Sequence, residues 1–282
     1  FKDGSTLSYD NLIIASGSKP NKFGWPGQDL KGVQGLYSKQ DLELLEVNAP
    51  NNKACKKAII VGGGLIGIEL AEMLRTREIP VTFLVRDKDF WGSVLPSGDA
   101  NLISKHIKTH HIDLRLETEL KEIIGDEKVN AIKFEKVQLE NSQLKETGEF
   151  MTINCGLVIT AIGHQPKQIQ GFEVSNSVVK NSNGKIDRGF YAVGWIKRGP
   201  TGVIATNKAD GELVVDLISK EFKTQTKDGR KSLIEIIKSK NLTATSFEDW
   251  EKIDSCEKKN ATGLAPRKKI LSIKEMLNIC KI

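Results

Sequence analysis

The chain has 282 residues, 39% of them hydrophobic and 28% charged, which is enough for two domains with a substantial buried core and too apolar for a disordered chain. Its net charge is +6, and no apolar run approaches the roughly 18–20 residues that a membrane-spanning helix needs. Cys55, Cys155, Cys256 and Cys280 show no CxxC or metal-ligand spacing, which suits thiols in a reducing, cytoplasmic setting and no metal site.

The chain opens on Phe1-Lys2-Asp3-Gly4, with no basic-then-apolar leader, and reads as an amino-terminally truncated piece. Residues 7–15, LSYDNLIIA, read as a turn feeding a short buried strand, Leu12–Ala15, that stops at Ser16-Gly17. A Gly-, Pro- and Asn-rich loop follows to Gly35, with GWPGQ as turn punctuation. Residues 38–47 look helical, and NAPNNK at 48–53 looks like a linker.

KAIIV (57–61) and VTFLV (81–85) are continuous apolar strands on either side of a glycine turn and the helical stretch LIGIELAEMLRTR. That is a βαβ unit of a parallel sheet covered on both faces. Another helix (NLISKHIKTHH) and strand (IDLRL) come next, then two alternating strands, AIKF and KVQLE, and a buried strand within CGLVITAIG at 155–163. His106 and His110 lie one helical turn apart without the Glu of an HExxH site, so they read as a solvated helix face. A helix is expected from about Thr206 to Phe222, and two more in a polar tail, around 230–240 and 272–280.

Gly62-Gly63-Gly64-Leu65-Ile66-Gly67 fits GxGxxG in the context that gives the motif meaning, between a strand and a helix. Gly62 permits the tight turn, Gly64 lets backbone approach a pyrophosphate, and Gly67 allows close helix–strand contact. The helix amino terminus then favours the phosphates. Where an acidic residue would hold the 2′-hydroxyl of NAD, this chain has Val85 followed by Arg86-Asp87-Lys88. Arg86 and Lys88 can hold a 2′-phosphate, so NADP is favoured, with NAD still open. Glu69 is read as lying in the first turn of the helix, where it complements the dipole or contacts the nicotinamide end.

Residues 191–208, YAVGWIKRGPTGVIATNK, combine a Trp, three glycines and three cations. Residues 221–282 carry 14 Lys/Arg against 9 Asp/Glu, an excess that suits an acidic partner. Nucleic acid is disfavoured, since the tail's aromatics are Phe222, Phe247 and Trp250, too few for a stacking platform.

YDNLIIASGSKP, VGGGLIGIELAEML and LVITAIGHQP, in that order, resemble the pyridine nucleotide-disulphide oxidoreductases, flavoproteins with two dinucleotide-binding domains. The resemblance implies that Ala15-Ser16-Gly17 and Ala161-Ile162-Gly163 are the crossovers joining an FAD domain to an inserted NAD(P) domain, with Glu69 near the nicotinamide. GWIKRGPTGVIATNKADGE is similar to the carboxy-terminal flavin motif of adrenodoxin-reductase-type ferredoxin–NADP reductases, as is a later W…ID…E…G…R.K pattern. By that likeness Gly194-Trp195 stands at the flavin ribityl contact, and Thr201, Gly202, Val203 and Ile204 lie against the isoalloxazine. The GGGLIGIE turn itself is of the NADH oxidase and nitrite reductase type, so the chain combines two branches.

The fold class expected is α/β: a Rossmann-like NAD(P)-binding domain (51–163) inserted into a partial FAD-binding domain (1–50 and 164–222), with a basic, partly helical tail (223–282). The resemblance implies FAD and NADP as cofactors, hydride transfer from nicotinamide to flavin N5, and a ferredoxin-like acidic acceptor docking at Lys197, Arg198 and the tail. The alternatives are an NAD(P)H-dependent reductase of a small acceptor (oxygen, quinone, disulphide, nitrite pathway) and a non-catalytic nucleotide-binding remnant. The upstream FAD glycine motif of that family is not in this sequence, so this chain alone is expected to bind FAD weakly or not at all.

Overall fold

The apolar run at 57–61 becomes the middle of a parallel sheet. The computed structural model describes residues 3–92, 94–140, 143–166, 169–175, 178–221 and 229–281. These fall into two units, Phe1–Phe222 and Lys223–Ile282. The first unit begins with strands β1 (Leu12–Ile14), β2 (Ser18–Pro20) and β3 (Val33–Gln34) and helix α1 (Lys39–Asn48). Strand β4 (Ala58–Val61), helix α2 (Leu65–Thr76), strand β5 (Val81–Leu84), helix α3 (Ser97–Thr109) and strand β6 (Asp113–Arg115) form its centre. Then come β7 (Thr118–Gly125), β8 (Val129–Glu140), β9 (Gln143–Asn154), β10 (Leu157–Thr160) and β11 (His164–Pro166). Short strands β12 (Val174–Ser175), β13 (Val178–Val179), β14 (Lys185–Asp187) and β15 (Phe190–Ala192) precede helices α4 (Trp195–Arg198) and α5 (Ile204–Glu221).

Five strands pair in parallel in the order β3-β10-β4-β5-β6. Side chains alternate across a strand, so the sheet sorts its core by parity. Ala58, Ile60, Val81, Phe83, Leu157 and Ile159 pack with Leu45, Leu70, Leu74 and Ile107 of helices α1, α2 and α3. Ile59, Val61, Leu84 and Val158 pack on the opposite face with Leu120, Ile123, Ile132 and Phe134 of the antiparallel sheet β7-β8-β9. Both faces are covered, which is why these strands read as unbroken apolar runs.

The antiparallel sheet departs from expectation. AIKF and KVQLE are one strand, β8, whose pairing with β9 shifts register between Glu135 and Val137. A bulge of this kind offsets the alternation and makes one strand look like two. Its partner β9, which carries Lys145, Glu146, Gly148 and Glu149, was not expected as a strand at all.

A smaller sheet has β1 parallel to β15, with Ile13 opposite Tyr191, and β14 antiparallel to β15. The two sheets are joined by β2 and β11, which pair antiparallel with Lys19 opposite Gln165. The helix expected from Thr206 begins at Ile204, and a single helical turn, α4, precedes it.

The second unit holds α6 (Arg230–Ser239), α7 (Phe247–Lys259) and α8 (Ile273–Cys280). Helix α7 was not expected. Ser246 and Asp249 cap it reciprocally, and its buried face is acidic: Asp254 and Glu257 are both buried. Asp254 takes Lys258 and Arg267, each at 2.5 Å; Glu257 takes Lys269 at 2.9 Å and the Ile270 amide at 3.1 Å. The D…E…R.K pattern is thus an internal staple of this unit. Lys258, Arg267 and Lys269 are engaged there in ion pairs within the unit. Among the described residues, no helix is long and apolar enough to cross a membrane.

Candidate dinucleotide and flavin-facing sites

Strand β4 ends at Val61 and the chain turns at once into α2, so the turn must be tight. Gly62 has φ +103°, and a Cβ there would lie 2.4 Å from the Ala161 carbonyl oxygen. A Cβ on Gly67 would meet the Gly62 carbonyl and Phe83, each at 3.1 Å, which is the helix–strand contact the motif implies. Beside Gly64, the nearest atom lies at 4.0 Å, so its backbone faces open space. Gly64 caps α2 with no side-chain hydrogen bond, and the first turn carries no acidic residue. The free amides and positive end of the dipole are left to an anion. Glu69 stands in the second turn of α2, not the first as expected; it is exposed and is not among the residues lining either cleft described below.

At the carboxyl edge of the sheet a cleft of about 210 Å³ is lined by Gly62, Gly63, Val85, Arg86, Asp87, Glu119, Ala161, Ile162, Phe23 and Trp25, among others. Arg86 joins the glycine turn as expected from sequence, whereas the exposed Lys88 is not part of the lining. Val85 is buried against Gly63, 3.2 Å from where its Cβ would be, so that position faces the core. Sequence reasoning missed the loop and the β7 side of the lining, among them Phe23, Trp25 and Glu119. Phe23 and Trp25, in edge contact at 5.3 Å between ring centroids, come from the loop read as turn punctuation. Glu119 comes from β7.

The ribbon of β2 and β11 leads from this cleft to a second one. Gly163, at φ +84°, accepts the Asn21 amide at 3.1 Å, and the Asn21 side chain donates to Ile162 O at 3.1 Å. Beyond the ribbon, Ala15, Gly17, Tyr37, Val193, Gly194, Trp195 and Asn207 line a cleft of about 440 Å³. Tyr37, His164 and Trp195 cluster there, with ring centroids 5.2 to 6.2 Å apart. Ser16 is exposed next to the lining residues.

The segment 191–208 owes its shape to Asp210 on α5. This buried carboxylate accepts from the Gly194 amide, from Lys197, and from Arg198 at 3.2 Å. Burial alone would push its carboxyl up; the Lys197 and Gly194 hydrogen bonds and both cations hold it below the usual value. Thr201 O accepts Trp195 Nε1 at 3.1 Å and Arg198 Nη2 at 2.9 Å, which fixes the indole edge. Thr201, Gly202 and Val203 are exposed, and Ile204 opens α5. Lys197 and Arg198, only 13% and 19% exposed, are held inward by Asp210. Their reading as rim contacts for a partner is corrected.

Burial also lowers the His164 pKa from 6.5. A depressed native value means the neutral ring stabilises the fold above pH 6.5, and that contribution is lost as pH falls through the native value. Tryptophan fluorescence titrated from pH 8 to 5 is expected to change in the wild type and to flatten in His164→Phe. Superimposable titrations would remove His164 from this role.

The family profile described as pyridine nucleotide-disulphide oxidoreductase matches residues 2–208. The mitochondrial NADPH:adrenodoxin oxidoreductase of Salvelinus fontinalis is 34% identical over 147 residues, covering 48% of this chain and 30% of that protein. NADPH-ferredoxin reductase FprA of Mycobacterium tuberculosis is 31% identical over 179 residues, covering 56% of this chain and 39% of that protein. The chain thus aligns with less than half the length of either relative. The solved structure of Mycobacterium tuberculosis FprA in complex with NADPH superimposes with a TM-score of 0.71 at 22% identity, over 97% of this chain and 79% of that one.

Proposed function

Since the chain belongs to the pyridine nucleotide-disulphide oxidoreductase family, we propose that it is the nicotinamide-binding and flavin-walling part of an FAD-dependent NADPH oxidoreductase that passes electrons to a ferredoxin-like acceptor. The observation that carries this reading is the link between two clefts. A glycine turn beside Arg86 and a Gly194–Trp195 wall are joined by one short ribbon.

On this reading, residues 51–163 are the NAD(P)-binding domain, inserted between 1–50 and 164–222. Gly62 to Gly67 seat the pyrophosphate on the α2 amides, and Arg86 faces the 2′-phosphate. Phe23 and Trp25 line one side of the cleft as an aromatic wall. Glu69 is left a place near the nicotinamide end, one turn along α2.

The residues of the second cleft fit a flat ring system. Gly17 and Gly194 keep the backbone free of Cβ atoms, and a Cβ on Gly17 would sit 3.1 Å from the Tyr37 hydroxyl. Trp195, Tyr37 and the backbone from Thr201 to Ile204 would form one wall for FAD, with Ala15 to Gly17 on the other side. Bound flavin supplies hydride acceptance and onward electron release; the chain supplies position and a dry surface. A reducing, cytoplasmic location suits the four cysteines, all of them free thiols.

A reductase of a small acceptor is the second reading. It is favoured by the ion pairs that hold Lys197 and Arg198 inward and engage Arg267 and Lys269 of the tail. The test is NADPH oxidation by this chain supplied with FAD, with ferredoxin, quinone and oxygen as acceptors, at low and high ionic strength. Ferredoxin reduction that falls with salt supports the first reading. Quinone or oxygen turnover with no ferredoxin reduction selects the second. NADPH binding without turnover on any acceptor leaves the nucleotide-binding remnant, and no NADPH binding at all sinks all three.

A further inference from the structure

The nucleotide cleft holds an acidic side chain that the end of β5 does not supply. Glu119, on β7, lines the cleft together with Arg86 and the glycine turn. One carboxylate oxygen lies 4.0 Å from Arg86 Nη1, too far for a hydrogen bond and near enough for attraction. The other is bonded to Lys121 at 2.9 Å. The Glu119 side chain is 25% exposed and Arg86 is 55% exposed, so the carboxylate is the more fixed of the two. Lys121 also takes Glu135 at 3.1 Å and Glu146 at 2.5 Å, which anchors it independently of Glu119.

We propose that Glu119 sets the choice between a 2′-phosphate and a free 2′-hydroxyl in this cleft, an inference that rests on the reading of the cleft as a nucleotide site. A 2′-phosphate drawn to Arg86 arrives beside the Glu119 carboxylate, and like charges at that distance oppose binding. A 2′-hydroxyl can donate to the same carboxylate, the role an acidic residue at the end of the second strand plays in NAD-binding folds. Glu119 is the counterweight to Arg86: it keeps NAD(H) acceptable and limits the preference for NADP(H). The acidic group has moved from the strand end to a neighbouring strand, where a reading confined to β5 does not find it.

Calorimetric titration of the full chain with adenosine 2′,5′-bisphosphate and with 5′-AMP tests this, because the two probes differ only in the 2′-phosphate. Glu119→Gln is isosteric and keeps a hydrogen bond to Lys121. It is expected to raise the bisphosphate-to-AMP affinity ratio about tenfold, and Arg86→Ala to lower it by a similar factor. Glu146→Gln removes a different partner of Lys121 from a residue that does not line the cleft, and should leave the ratio where it was. Melting curves establish that each variant is folded. An unchanged ratio in Glu119→Gln, with both probes still binding, overturns the role of Glu119 and leaves the cleft reading intact. A ratio that moves equally in Glu146→Gln overturns it too, by assigning the effect to Lys121. Failure of the wild type to bind either probe overturns both readings together.

Discussion

Gly62→Ala is expected to lower stability by about 3 kcal/mol and to abolish nucleotide binding. Two terms add. A non-glycine residue at positive φ costs roughly 1–2 kcal/mol, and forcing a shift in a packed interior costs roughly 1–3 kcal/mol more. At φ +103° the new Cβ would lie 2.4 Å from the Ala161 carbonyl oxygen and 2.9 Å from its carbon. Both are backbone atoms of the β10 exit, so no rotamer change relieves the contact. Moving that exit also moves Ala161 and Ile162 at the cleft. Urea unfolding and NADPH titration of the variant check the two halves separately. A variant within about 1 kcal/mol of wild type that still binds would show that the turn relaxes without its glycine.

Asp210→Ala is the second large effect, again about 3 kcal/mol, toward the lower end for breaking a buried pair because Lys197 and Arg198 keep some contact with water. The substitution strands two half-buried cations and leaves the Gly194 amide without its acceptor. The sign of the pH dependence follows from the lowered carboxyl. The stabilisation is complete above the ordinary aspartate value of 3.8 and is lost as pH falls below it, through the native value. Thermal melts from pH 3 to 7 should show the wild type and the variant converging at the acid end. Curves that stay parallel would locate the stabilisation elsewhere. Local effects should be largest at Trp195, whose helical turn depends on the same carboxylate.

The glycine turn and the parallel sheet were legible because their signals are local. Strand β4, the turn and helix α2 follow one another without a gap, and each apolar run is as long as its strand. Phe23, Trp25 and Glu119 were not legible, because the cleft they share with Gly62 is assembled from five separate segments, and periodicity carries no information about which loops meet. Strand β9 was hidden by its surface: Lys145, Glu146 and Glu149 face water, and Gly148 reads as a turn. Helix α7 was hidden for the opposite reason. It buries Asp254 and Glu257, charges that a reading by apolar periodicity assigns to solvent. The same inversion misled the reading of Lys197 and Arg198 as rim charges, since a count of charges does not show which of them are already paired and held inward.

The ribbon formed by β2 and β11 has a mechanical consequence. Three residue pairs, from Ser18 opposite Pro166 to Pro20 opposite His164, run between the two clefts. A single connecting strand could bend or swivel; two antiparallel strands resist both, and the Asn21 bonds to Ile162 and Gly163 clamp the end nearest the glycine turn. Pro20 opposite His164 stiffens the pair further by fixing one backbone torsion. Transfer between bound groups demands a separation held to fractions of an ångström. The ribbon acts as a gauge block: it fixes the spacing between the two clefts, whatever fills them.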